Sequence, residues 1–168
     1  MATFASKAKV SPCLWFNHTA EDAAKFYVSL LPDSRITQVL RSPADNPSTQ
    51  EGDVLIVTFT LAGQEFMGLN GGPQFSFTEA VSFCIYCDDQ AEVDRLWDKL
   101  IADGGAPSAC GWLKDKFGLS WQIVPKALAE LMGSGDADVS RRVMQSMMTM
   151  TKMDIAALRK AAEGAQAA

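Results

Sequence analysis

The sequence predicts an α+β fold: two repeated modules of strand, helix and further strands, followed by a helical C-terminal extension. Three observations carry this. Residues 110–125, CGWLKDKFGLSWQIVP, read as two strands around a tight turn, with Leu119, Trp121 and Ile123 alternating with Ser120 and Gln122. The segment Cys13 to Glu21 recurs in character at Cys84 to Glu92: thiol, aliphatic, aromatic, cap region, then Ala-Glu. In the same alignment Phe26 falls on Trp97, and Gly63, Phe66 and Met67 fall on Gly118, Trp121 and Gln122. After Pro125 the chain turns helical and rich in methionine.

The elements follow in order. Residues 1–7 read as a loose tail, and Val10 to Phe16 as a short apolar strand. Thr19 can cap the helix AEDAAKFYVSLL, with Asp22 three residues on as an acidic capping-box partner. That helix places Ala23, Phe26, Tyr27 and Leu30 on one face, and Pro32-Asp33-Ser34 stops it. Arg35 to Arg41 reads as a strand, and 42–52 as a polar loop. Val54 to Leu61 and Gln64 to Leu69 form a hairpin around Ala62-Gly63. Asn70-Gly71-Gly72-Pro73 is a loop leading to Phe75 and Phe77. A strand from Ala80 to Cys87 and a helix from Ala91 to Ala102 open the second module, and Gly104-Gly105 ends the helix. Residues 106–109 are too short and small for a strand to be assigned. In the turn Asp115 to Gly118, the glycine suits positive φ. Past the hairpin, Ala127 to Met132 is a short helix. Asp138 can cap another, with Val139, Val143, Met147 and Met150 on one face and Met144 and Met148 widening the stripe. Asp154 can cap the last helix, which ends in a fraying Ala-rich tail.

The bulk numbers bound the function. With 168 residues, 48% hydrophobic and 21% charged, the chain has ordinary globular composition. A formal charge of −5 and no basic cluster longer than Arg141-Arg142 argue against a nucleic-acid partner. No apolar run approaches the roughly 20 residues that span a bilayer, and MATFASKAKV has no signal-peptide core. The expected location is the cytoplasm, where Cys13, Cys84, Cys87 and Cys110 stay reduced. Cys84 and Cys87 make a C-x-x-C. Within a strand, however, residues three apart point to opposite faces, so the pair is a poor chelate.

The repeat, together with PCLWF…AEDAAKFY, LNGGPQFSF and CGWLKDKFGLSWQIVP, resembles the PhnB-like branch of the glyoxalase/bleomycin-resistance/dioxygenase superfamily, also called vicinal oxygen chelate. The resemblance spans roughly residues 8–160. It implies paired βαβββ modules, each half of a cupped sheet, with a ligand cavity in the cup and often a homodimer. The expected layout is one glyoxalase-like domain over 8–125, with modules at about 8–72 and 79–125, and a helical extension over 126–168. This branch is often labelled demethylubiquinone methyltransferase-like. An adenosine-bearing methyl donor usually sits on a Gly-rich strand-to-helix turn, yet Leu69-Asn70-Gly71-Gly72 is followed by Pro73 and no helix.

Metal-dependent members of the superfamily carry His, Gln or Glu at one place on the first and last strand of each module. Carried over, these places fall at or next to Pro12, on Met67, near Phe83 with Ser82 as its neighbour, and on Gln122. Proline and phenylalanine offer no ligand atom, Met67 is a soft thioether, and one Gln amide cannot hold a hard cation alone. The single histidine, His18, sits in a loop and limits any Ser–His or Cys–His pairing. Cys13 can face either side of its strand, and Asp115 and Glu65 read as turn carboxylates without an evident partner. The expected site therefore has no metal and no cofactor, and holds an unknown small molecule against Leu14, Met67, Leu69, Phe83 and Gln122, with Trp112 near the rim. Two alternatives stand beside it: an enzyme using a divalent metal in a non-standard site, and a dimeric scaffold for a protein partner. The wide Met stripe favours a homodimer.

Overall fold

The computed structural model describes residues 9–164, so the expected N-terminal tail and the last residues of the Ala-rich tail lie outside it. The described chain falls into two compact units that meet in sequence between Phe77 and Thr78. It is an α+β protein, and both units repeat one topology.

The first unit contains β1 (Cys13–Phe16), α1 (Ala20–Val28), β2 (Arg35–Arg41), β3 (Val54–Leu61) and β4 (Gln64–Asn70). Its sheet has the order β1-β4-β3-β2, with β1 parallel to β4 and the other pairs antiparallel. The β3–β4 turn places Ala62 at φ 46° and Gly63 at φ 81°, as a two-residue hairpin with the twist of its strands requires. One sheet face is covered by α1, whose small residues Ala20, Ala23 and Ala24 let it approach closely. A Cβ at Gly68 would already touch Ala20 and Phe16 at 3.4 Å. Tyr27 from α1 meets Phe59 (ring centroids 6.2 Å apart), which stacks on Phe66 at 5.4 Å. Each of these buried aromatics contributes about 1.5–3 kcal/mol through burial.

Thr19 occupies the α1 cap position without a side-chain bond to the helix. The capping oxygen comes instead from the end of β4, where Asn70 Oδ1 accepts the Ala20 amide at 2.9 Å and Asn70 Nδ2 donates to Val54 O at 2.8 Å. A partner 50 residues away replaces the local capping box.

The second unit contains β5 (Ser82–Cys87), α2 (Gln90–Ile101), a 3₁₀ turn (Ala102–Gly104), β6 (Ala106–Pro107), β7 (Trp112–Lys114) and β8 (Ser120–Pro125). The order β5-β8-β7-β6, with β5 parallel to β8, repeats the first sheet. The registers repeat as well: Cys13 pairs with Met67, and Cys84 pairs with Gln122. These are the pairs that the sequence alignment superposes. Residues 106–107, where no strand is assigned from sequence, form the short edge strand β6. Asp89 caps α2 by accepting the Glu92 amide at 2.9 Å, while Glu92 Oε2 accepts the Asp88 amide at 2.8 Å.

The extension consists of α3 (Lys126–Met132), α4 (Ala137–Met147) and α5 (Ile155–Glu163), and it clusters with the second unit. The cap of α4 is Asp136, two residues before the expected Asp138, because its carboxylate reaches the Asp138 and Val139 amides. Met150 lies beyond the end of α4, so the expected stripe ends at Met147. Asp154 caps α5 as expected. Three contacts fasten the extension to its sheet and to α2. Cys110 and Gly111 donate their amides to Met150 O and Thr151 O, both at 2.8 Å. Gln90 donates to Met153 O and accepts from the Ile155 amide. Lys152 pairs with Asp94 at 2.7 Å, which holds the Asp94 carboxyl below its ordinary range.

Candidate functional site

Each sheet has one face under its helix and one face turned away. In the second unit the helix side is apolar: Ile85, Leu113, Trp121 and Ile123 are buried, opposite Val93, Leu96, Trp97 and Leu100 of α2. Strand alternation then puts Ser82, Cys84, Trp112, Lys114, Ser120 and Gln122 on the other face. Gln122 is the centre of that face. It pairs in register with Cys84 on one side and Trp112 on the other, and its Nε2 donates to Ser82 Oγ at 2.9 Å. The amide is half-buried, and Ser82 holds its nitrogen end.

Further along the same face, Lys114 and Ser120 stand directly opposite one another. Lys114 Nζ pairs with Glu79 at 2.5 Å, and this holds the Glu79 carboxyl below its ordinary value. A cavity of about 240 Å³ opens here, lined by Glu79, Ala106, Pro107, Trp112, Lys114 and Ser120 among others.

In the first unit the face away from α1 carries Cys13, Trp15, Met67, Leu69 and Thr58. The 70–77 loop folds onto it. Trp15 Nε1 donates to Gly72 O at 2.8 Å, and the Trp15 ring meets Phe75 edge-on at 4.9 Å. Gly71 touches the Trp15 indole so closely that a Cβ would lie 2.3 Å from it.

Of the six residues expected to line the ligand, Met67 and Leu69 lie on this face, and Trp112 and Gln122 on the matching face of the second unit. Leu14 and Phe83 do not. Leu14 pairs with Gly68 and is buried under α1, and Phe83 pairs with Trp121 and packs on its ring at 5.8 Å. A one-residue offset on a strand exchanges faces, so the outward neighbours are Cys13 and Ser82. Asp115, expected to lack a partner, is buried. Its Oδ1 accepts the Phe117 and Leu119 amides, and its Oδ2 accepts the Trp121 indole at 2.8 Å. Sequence reasoning also missed Ser120, whose only signal is its place two residues before Gln122.

The superfamily's metal does not fit these side chains. The outward positions are Ser82 and Gln122 in the second unit and Cys13 and Met67 in the first, and none is a carboxylate or imidazole. Among the described residues no three His, Cys, Asp or Glu side chains converge to hold an ion. Cys84 is exposed and Cys87 buried, on opposite faces of β5, so the C-x-x-C does not chelate. Burial raises the thiols of Cys13 and Cys87, the latter to about 12, which leaves both protonated and poorly nucleophilic at neutral pH.

A family model described as 3-demethylubiquinone-9 3-methyltransferase matches residues 8–124, well over half of the chain. The chain belongs to this family. It is 37% identical to the PhnB protein of Bacillus cereus, with a TM-score of 0.64 over 70% of this chain and 99% of that one. It is 20% identical to protein PA1353 of Pseudomonas aeruginosa, with a TM-score of 0.59 over 71% of this chain and 98% of that one. A glyoxylase/bleomycin resistance protein/dioxygenase domain from Frankia sp. EAN1pec is also similar, at 14% identity and a TM-score of 0.45 over 71% and 93%. No curated protein matches the chain.

The family match ends within β8, so α3, α4 and α5 lie beyond it. The methyl donor that the family's name implies does not fit the 69–73 stretch. The Gly71 and Gly72 amides are taken up by Phe16 O, at 3.0 and 3.3 Å, and Gly71 is closed off by Trp15. No helix follows the turn to offer further N–H groups. No described helix is long and apolar enough to cross a membrane.

Proposed function

We propose that the chain is a cytoplasmic small-molecule-binding member of its family, with the ligand held without a metal. The two βαβββ units would form a single domain over 8–125, and the ligand would lie against the outward sheet face of the second unit, which carries Gln122. The observation that supports this most is the Gln122–Ser82 pair at 2.9 Å: a half-buried amide, oriented by a neighbouring hydroxyl and flanked by the Trp112 indole. A polar group so placed orients a ligand in an otherwise apolar site.

The test is a nitrogen-15 NMR screen of small metabolite-like compounds against the full chain, following the Gln122 side-chain amide and the Trp112 indole. Compounds that shift both signals together support the reading. A screen in which hits shift other sites and leave Gln122 and Trp112 in place removes it. Metal analysis of the same sample runs in parallel, because a stoichiometric tightly held ion would replace the metal-free reading with that of a metalloenzyme.

The chain would act as a homodimer. Met144 and Met148 of the extension are 47% and 64% exposed, on a surface that a second copy could cover. Sedimentation at micromolar concentration reads this directly, and a monomer there overturns it.

A further inference from the structure

Among the described residues, two buried side-chain hydroxyls have no hydrogen-bond partner, Thr60 and Ser120. Ser120 is 1% exposed and lines the 240 Å³ cavity at the β6–β7 edge. An unmade bond on a buried hydroxyl costs about 1–3 kcal/mol, so a bound group that accepts from it recovers that energy. The neighbours define which group. Lys114 is directly opposite Ser120 on β7, and side chains so paired have Cβ atoms about 4.5–5.5 Å apart. Lys114 and the unpartnered Ser120 hydroxyl thus share one face of the β7–β8 pair as two donors, and the flexible lysine stem lets the ammonium meet a carboxylate that also accepts from Ser120.

Lys114 already has a carboxylate, that of Glu79. That side chain is 62% exposed and comes from the segment before β5. A pair so open to water contributes little to stability and is readily exchanged. The third element is Trp112, two residues from Lys114 on the same face and half-buried, which offers an apolar ring wall. The cavity is slightly smaller than the roughly 300–1,000 Å³ of sites for drug-sized ligands, which restricts the ligand to a small one.

We propose that this pocket takes a small planar carboxylate of benzoate size: its carboxylate displaces Glu79, accepts from Lys114 and Ser120, and its ring lies along Trp112. This deepens the small-molecule reading above and rests on it. Glu79 is the internal stand-in for the ligand, so its removal strengthens binding while removal of either donor weakens it.

Isothermal titration of the full chain with benzoate, and with benzamide as its neutral isostere, tests this. Benzoate is expected to bind at least about tenfold more tightly than benzamide, as a charge-assisted bond predicts. Ser120→Ala and Lys114→Met are each expected to weaken benzoate about tenfold, and Glu79→Gln to tighten it several-fold. Glu79 is a surface side chain, so Glu79→Gln keeps the fold intact and its sign is decisive. Equal affinity for benzoate and benzamide, no heat with benzoate, or a Glu79→Gln variant that binds no better overturns the proposal. If benzoate fails while other compounds still shift Gln122 and Trp112, the carboxylate assignment falls alone. If both fail, the small-molecule reading falls with it.

Discussion

The carboxylate of Asp115 accepts the indole N–H of Trp121 at 2.8 Å, and both residues are buried. The other carboxylate oxygen accepts two amides of the turn, those of Phe117 and Leu119. One side chain therefore fixes both the turn geometry and the side of β8 on which Trp121 sits, and Gln122 faces outward as a result. Asp115→Asn replaces one acceptor oxygen with a donor, which leaves either the indole or the turn amides unpaired. The expected loss is about 1–3 kcal/mol of stability, read from urea unfolding. The Gln122 amide signal should broaden in the same variant. An unchanged midpoint would show that the turn holds without Asp115.

Asn70 joins three elements through its amide, capping α1 and holding Val54 O. Asn70→Asp keeps the cap oxygen and loses the donor to Val54, whereas Asn70→Ala loses both. Loss of a cap costs about 0.5–2 kcal/mol. The expected order of stability is wild type, then Asn70→Asp, then Asn70→Ala, with the last about 2 kcal/mol or more below the first. Equal midpoints for the two variants would mean that the cap contributes nothing.

These two residues show what sequence could and could not convey. The repeat was legible because the thiol, aliphatic and aromatic order of CLWF recurs in CIYC, and the pairings Cys13–Met67 and Cys84–Gln122 follow from it. The outward direction of Gln122 was legible because it is the polar member of an apolar alternation. Leu14 and Phe83 were misplaced for the opposite reason. Apolar side chains stand on both faces of β1 and β5, Leu14 on one face and Trp15 on the other, Phe83 on one and Tyr86 on the other, so hydrophobicity there marks no face. Asn70 as a cap and Asp115 as an indole acceptor depend on tertiary neighbours, and no local pattern announces them.

The Cys87 thiol is raised by burial from 9.0 to about 12. Between those values the unfolded chain has lost its thiol proton and the folded chain has kept it. The stability is therefore fully present below about pH 9 and falls as pH rises toward 12. Urea midpoints measured at about pH 8 and about pH 10.5 should decline more steeply for wild type than for Cys87→Ala, whatever the absolute loss in the variant. Alkylation provides a second reading: Cys84 is exposed and should react in the folded protein, while buried Cys87 should react only on unfolding. Parallel pH slopes for wild type and variant would contradict the assignment.

Gly111 sits where the extension meets the sheet. Its amide donates to Thr151 O and its carbonyl accepts from the Ile123 amide, both at 2.8 Å, with φ at 79°. Gly118, in the Asp115 turn, has a similar φ of 86° but nothing within 4 Å of a Cβ. At Gly111 the same Cβ would stand 2.8 Å from Ile123 O and 3.1 Å from Met153. The two glycines therefore separate two costs. Gly118→Ala carries only the backbone penalty of positive φ, about 1 kcal/mol. Gly111→Ala carries that penalty and must also move either a paired strand or the buried Met153, for about 1–3 kcal/mol more. Hydrogen exchange should then quicken at the Cys110 and Gly111 positions, whose amides tie down Met150 and Thr151, before it does elsewhere in the second sheet. If the two variants lose the same stability, the contact between Gly111 and Met153 is too loose to hold the extension.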